Sequence, residues 1–135
     1  MEVIKNYYIY MIRSVFTKKA PKVVGPYSQA IKSGDFIFCS GQIGVNPETG
    51  KLVEGIENQV HQIMRNLTEV LVATKSDLNH VVKTTIYLAD MNHYVLVNQI
   101  YGDYFKKSKP ARATVQVSRL PIGALVEIEA IAVKK

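Results

Sequence analysis

The sequence predicts an α+β fold: a mixed β-sheet with two helices on one face, its elements in the order β-β-β-α-β-α-β-β. Three observations carry this. Apolar residues recur at helical spacing in two stretches, Ile56 to Ala73 and Asn92 to Phe105. Runs rich in strand formers, clearest in Val81 to Leu88 (VVKTTIYL) and Val126 to Val133 (VEIEAIAV), have strand length and composition. Turn signals separate these runs at Lys32-Ser33-Gly34-Asp35 and at Asn46-Pro47-Glu48-Thr49-Gly50.

Taken in order, Met11 to Phe16 (MIRSVF) is a candidate first strand, and Met1 to Tyr10 reads as an N-terminal extension. Lys18 to Pro26 holds two prolines and Gly25, so it reads as extended or loop. Tyr27 to Ile31 and Phe36 to Ser40 flank the Ser-Gly-Asp turn and form a hairpin. In the first helix, Val60, Ile63, Met64, Leu67, Val70 and Leu71 make the apolar stripe, while Glu57, His61, Arg65 and Glu69 lie off it. Val81 to Leu88 is a buried strand. The second helix shows Tyr94, Val97, Tyr101, Tyr104 and Phe105 as its stripe. Thr114 to Ser118 and Val126 to Val133 are the last two strands, joined through Arg119-Leu120-Pro121-Ile122-Gly123. The final strand is apolar on both parities, so both sheet faces call for cover. A homo-oligomer follows, with a second copy against the face the helices leave open.

The 135 residues make one domain's length, read as a single unit over 1–135. They are 47% hydrophobic and 21% charged, enough for a core without staples. Cys39 is the single cysteine, which excludes an intrachain disulfide and fits a reducing, cytoplasmic setting. No apolar run approaches membrane-spanning length, and the N-terminus lacks a signal-peptide cleavage site. The net charge of +6 raises the question of nucleic acid, but the basic residues are scattered and do not alternate with aromatics. Nucleic acid is not the expected partner. A small anionic substrate is served equally well by such charge.

Four segments hold residues able to do chemistry. On a strand, Arg112, Thr114 and Gln116 share one face, and a guanidinium there either grips a carboxylate in bidentate fashion or forms a surface salt bridge. Glu127 and Glu129 interrupt an apolar strand; they meet solvent, pair, or serve in acid–base work. Gly25-Pro26-Tyr27 makes a sharp strand entry and offers a phenol, which is either a site group or a core tyrosine. Ser40-Gly41-Gln42 leaves a strand where glycine admits close backbone approach, or simply a turn. Other chemistries fit poorly. His61, His80 and His93 lack metal-ligand spacing, His61 reads as solvated, and no zinc motif, nucleophile elbow or phosphate loop is present. Cys39 reads as core. No metal and no cofactor is expected, which leaves water addition or pure binding.

Together these segments resemble the RidA/YjgF family. The matching stretches are GPYSQA (Gly25 to Ala30), SGQIGVNPETG (Ser40 to Gly50), VVKTTIYLADMN (Val81 to Asn92), VNQIYGDYF (Val97 to Phe105), PARATVQVSRLP (Pro110 to Pro121) and VEIEAIAV (Val126 to Val133). Each is weak alone; six in order are specific, and they span about Met11 to Lys135. The resemblance implies a chorismate-mutase-like fold, a homotrimer and ligand sites in clefts between subunits. It implies deamination of 2-iminobutanoate and 2-iminopropanoate to 2-keto acids and ammonia. It implies that Arg112 binds the substrate carboxylate, that Glu127 orients or activates water, and that Tyr27 closes the site. Ser40, Gly41 and Gln42 would line it, with Tyr94 and Thr114 as further lining residues. Many bacterial members carry cysteine at the place of Thr114 and others alanine, so cysteine chemistry is not implied here. The glycine that commonly ends the first helix is missing near Thr74-Lys75, which implies a local change. Two other functions remain open on the same residues: a binding module for small carboxylates without catalysis, and a ribonuclease or translation inhibitor.

Overall fold

The computed structural model describes residues 12–135; the readings of Met1 to Tyr10 and of Met11 fall outside them. The chain runs β1 (Ile12–Val15), β2 (Ala30–Ser33), β3 (Phe36–Ile43), α1 (Ile56–Ala73), β4 (Val81–Leu88), α2 (Tyr94–Tyr104), β5 (Ala111–Gln116) and β6 (Val126–Val133), the order that the periodicities predict. The six strands form one sheet in the order β1-β2-β3-β6-β4-β5. Neighbours are antiparallel except β4 and β5, which are parallel and joined through α2 as parallel pairing requires. The last strand of the chain is therefore inserted between β3 and β4, at the centre of the sheet.

That insertion explains the burial of β6. Val126, Ile128, Ala130 and Ala132 are buried, and their partners in register are Leu88, Ile86, Thr84 and, from β3, Ile37. Helix α1 packs against β3 and β6 and against α2, closing this face with Val60, Ile63, Met64, Leu67, Val70 and Leu71. The alternate residues of the strands look the other way. Phe36, Phe38 and Val115 are exposed there, and Glu127, Glu129, Ile131 and Val133 are half-buried. The two helices thus cover one face, and no element among the described residues covers the other.

Several boundaries differ from the sequence reading, each for a physical reason. β2 begins at Ala30 rather than Tyr27, because the Gln29 side chain is turned into the preceding loop. Its amide accepts from Thr17 N at 2.6 Å and donates to Thr17 O and Pro21 O at 3.1 and 2.9 Å. The hairpin turn is only two residues, Gly34 and Asp35, with Gly34 at φ 58 as a primed turn requires. β3 does not end at Ser40 but runs on to Ile43 through a bulge between Cys39 and Gln42. α2 starts at Tyr94, after a 3₁₀ turn over Met91–His93 in which the Asp90 side chain accepts from Asn92 N at 2.9 Å. β5 starts at Ala111, earlier than Thr114, because its pairing with β4 begins at Lys83. His61 is not free in solvent: its Nδ1 is 2.6 Å from the Tyr104 hydroxyl, and it ties α1 to α2. Tyr94, placed on the apolar stripe from the sequence, is exposed, and Ile100 is buried instead.

Candidate active site

The residues singled out in the sequence fall into two groups on opposite faces of the sheet. The register decides this. Glu127 sits opposite Tyr87 on β4, and Arg112 sits opposite Thr84. Tyr87 and Thr84 have opposite parity on one strand, so the side chains beside them leave opposite faces. Within one chain, Glu127 and Arg112 are not brought together.

The first group surrounds a groove of about 690 Å³ beside the β3 bulge. Its floor is polar: Ser40, Gly41, Gln42 and Glu127. The bulge turns Gly41 against β6, and a Cβ on Gly41 would overlap the Glu127 carboxylate. Glycine is needed there to make room for a carboxyl, a tighter reason than either alternative read from the sequence. Burial, and next the charge of Glu129, push the Glu127 carboxyl above the ordinary carboxylate range. Glu129 is itself held by the Tyr87 hydroxyl, which donates to its Oε1 at 2.9 Å. Ser40 donates its hydroxyl to Ser28 O at 2.5 Å and so keeps oxygen lone pairs toward the groove. Gln42 borders the groove from the helix-covered side, buried and in register with Ile128. Tyr27 is half exposed, its ring lying against Gly25.

The second group lies on the helix-covered face, where β5 forms the sheet edge. The Arg112 guanidinium lies over the rings of Tyr101 and Tyr94, at 5.0 and 5.8 Å from their centroids. Its Nη2 donates to the Tyr94 hydroxyl at 3.1 Å. Tyr101 is fixed in turn by a 2.7 Å hydrogen bond with Thr84. Among the described residues no carboxylate pairs with Arg112. Among the described residues, neither the buried hydroxyl of Thr114, two residues along the same strand face, nor His93 Nδ1, next to Tyr94, has a hydrogen-bond partner.

Sequence reading missed the residues that set this geometry from behind. The Gln59 side chain accepts from Leu125 N at 2.8 Å and donates to Val53 O at 3.0 Å. Asn66 donates to Val45 O at 2.9 Å and is braced by Gln62 at 2.8 Å. These amides, buried on α1, fix the loop after β3 and the start of β6, which carry the groove. Their spacing of three and four residues beside the apolar stripe was the available signal. Tyr101 gave none, since its periodicity is that of a core residue. Cys39 is buried and its thiol is pushed up to about 12 by burial, so it offers no thiolate near neutral pH. Among the described residues, no cluster of three or more His, Cys, Asp or Glu side chains is arranged to hold a metal ion. No helix among them is long and apolar enough to cross a membrane.

The sequence matches the profile of the family described as Endoribonuclease L-PSP over residues 17–134. A RutC family protein of Pyrococcus horikoshii is 52% identical over 122 residues, which cover 90% of this chain and 97% of that protein. A protein of Mus musculus named 2-iminobutanoate/2-iminopropanoate deaminase is 52% identical over 126 residues, 92% of this chain and 93% of its own. Among solved structures, E. coli TdcF with bound serine matches with a TM-score of 0.88 at 34% identity, over 91% of this chain and 99% of that one.

Proposed function

The chain belongs to the Endoribonuclease L-PSP family, here called RidA/YjgF, and from that premise we propose that it hydrolyses 2-imino acids to 2-keto acids and ammonia. The substrates are small members of the class, 2-iminopropanoate and 2-iminobutanoate, after the name that the mouse relative carries. One observation carries the reading: a poised carboxyl, Glu127 over Gly41, occurs with a guanidinium, Arg112, that no carboxylate among the described residues neutralises.

The chemistry follows from those two groups. Arg112 grips the substrate carboxylate through parallel N–H donors, with Tyr94 and Tyr101 holding its plane and the Thr114 hydroxyl beside it. Glu127, more basic than an ordinary carboxylate, takes a proton from water as its oxygen bonds to C2 of the protonated imine. It returns that proton to nitrogen, and as the C2–N bond breaks and ammonia leaves, Glu127 takes the remaining hydroxyl proton, so that the C2 carbonyl forms. One water is consumed, and no electron acceptor is required. Ser40, Gly41 and Gln42 shape the floor, and Tyr27 closes the mouth.

Because Arg112 and Glu127 leave opposite faces of one sheet, the complete site takes one from each of two copies. A homotrimer, with the open sheet faces turned inward and three inter-subunit sites, accommodates this and covers Phe36, Phe38 and Val115. The test is keto-acid release from imine generated in place by an amino-acid oxidase. Arg112→Ala loses at least 100-fold in kcat/KM, the scale of a lost charged anchor plus lost orientation, and keeps the oligomer. Full activity in that variant sinks the assignment. The family description and the net charge of +6 favour a second reading, RNA cleavage. RNA cleavage that survives purification and is lost in Glu127→Gln, without imine turnover, supports it instead.

A further inference from the structure

Glu127 is one of two carboxylates on the open face of β6. Glu129 stands two residues further on, about 6–7 Å along an extended strand. Both are half-buried glutamates on one strand, and nothing in their own chemistry decides which of them holds a proton. Like charges so close resist ionising together, so a single proton would be divided between the pair. Acid–base work by Glu127 requires that this division be broken, because the two carboxyls serve different spaces. Glu127 borders the groove of about 690 Å³, whereas Glu129 borders a separate recess of about 290 Å³ with Lys83 and Thr85.

Tyr87 supplies the asymmetry. On β4 it is in register with Glu127, yet its hydroxyl donates to the diagonal neighbour, Glu129 Oε1, at 2.9 Å. Its ring thus lies beside one carboxyl while its proton goes to the other. A hydrogen bond donated to a carboxylate favours the charged form. The phenol also keeps its proton, since the bond to Glu129, and then burial, raise its pKa above the ordinary tyrosine value. No other group competes for this part. Lys83 turns its ammonium to Thr84 O at 3.0 Å, and among the described residues no cation pairs with Glu127 or Glu129. Lys22 and Tyr27 reach the groove from the loop before β2, and β3 presents the uncharged Ser40 and Gly41. The two-copy site adds Arg112 of a second copy. Burial and then the Glu129 charge raise the Glu127 pKa, as such an arrangement requires. Tyr87, Glu127 and Glu129 belong to adjacent strands of one chain, so their contact does not depend on how copies pack.

We propose that Tyr87 is a positioning residue for the deamination: by fixing the charge on Glu129 it leaves Glu127 as the carboxyl that takes up and returns the proton. This rests on the deaminase reading and adds to it a residue that acts through a neighbour rather than on the substrate.

The experiment follows kcat/KM against pH, with imine generated in place, in wild type, Tyr87→Phe, Glu129→Gln and the double variant. Activity rises with pH as Glu127 ionises. Tyr87→Phe keeps the ring and removes the donor, so Glu129 takes a share of the proton. The acidic limb then moves down by about half a pH unit, a roughly threefold gain below the midpoint relative to the plateau. Glu129→Gln removes the charge outright and moves the limb the same way, at least as far. In that background Tyr87→Phe adds no further shift. The Glu127 carboxyl, followed by carboxyl-carbon NMR and assigned by its loss in Glu127→Gln, titrates at correspondingly lower pH in each variant. A limb and a titration that stay in place in Tyr87→Phe overturn the proposal, whatever happens to the thermal midpoint. So does an undiminished shift when Tyr87→Phe is added to Glu129→Gln. Should Tyr87→Phe fail to fold, an unmoved Glu127 titration in Glu129→Gln overturns it equally. Failure of the deaminase reading is distinguishable: no imine is turned over, while the Glu127 titration still shifts.

Discussion

Glu127 combines three circumstances that seldom coincide in one carboxylate. It lies on a central strand, its oxygen fills the space that a Gly41 side chain would take, and Glu129 stands two residues along the same face. Burial and then that neighbouring charge raise its pKa. The folded protein thus holds the Glu127 proton more tightly than the unfolded chain does, and unfolding releases it. Stability from this group is complete below the ordinary glutamate range and is lost as pH rises toward the raised value. Glu127→Gln removes that loss. Its thermal midpoint exceeds that of wild type at pH 7, and the gap closes by about pH 4, followed by calorimetric melts across the range. A constant gap shows that the ionisation is not responsible. The presence of a glutamate here was plain in VEIEAIAV, but its close fit against Gly41 was not. The two residues are 86 positions apart in the chain and meet only because β6 inserts beside β3.

Helix α1 shows how local chemistry and tertiary packing divide the work. Its bounds, Ile56–Ala73, were legible from apolar spacing alone. Its end departs from the commonest pattern, as the absent glycine implied. Lys75 takes the left-handed place at φ 63, while Ser76 N donates to Leu71 O at 2.9 Å and closes a Schellman-type cap. Thr74 adds a 2.6 Å bond to the same carbonyl. Lys75→Gly removes the steric cost of that conformation and raises stability by about 1 kcal/mol, read as a rise of a few degrees in thermal midpoint. No change in activity accompanies it, since the cap lies away from both groups of site residues. Gln59, Gln62 and Asn66 were legible only as a polar row beside the apolar stripe, because an amide on a helix is indistinguishable from a solvated one until its partners are known. Their partners, Val53, Val45 and Leu125, come from two distant segments.

At the scale of the whole molecule the sheet is the barrier between the two groups. It is one strand layer thick, covered by helices on one side and bare on the other. Copies packed so that the open face of one meets the β5 edge of the next would set Glu127 of one against Arg112 of the other. Mixed oligomers test this directly. Arg112→Ala and Glu127→Gln chains, inactive separately, are unfolded together and refolded as a mixture. If each site draws on two copies of a cyclic trimer, any mixed trimer holds one intact site, and random mixing restores about a quarter of wild-type activity. No recovery in mixtures shown by mass spectrometry to be hetero-oligomeric places both groups in one chain and ends the shared-site reading.

By itself the sequence determined the order and kind of the elements, the apolar faces of α1 and β6, and the residue types available for chemistry. These depend on periodicity and on turn chemistry, which act over a few residues. Only the tertiary structure decided which of those residues meet. β6 pairs with strands from both halves of the chain, so its register, and not local preference, puts Glu127 on the open face and Arg112 on the covered one. A shift of one residue in that register would exchange the faces, and no local pattern encodes the pairing of segments so far apart.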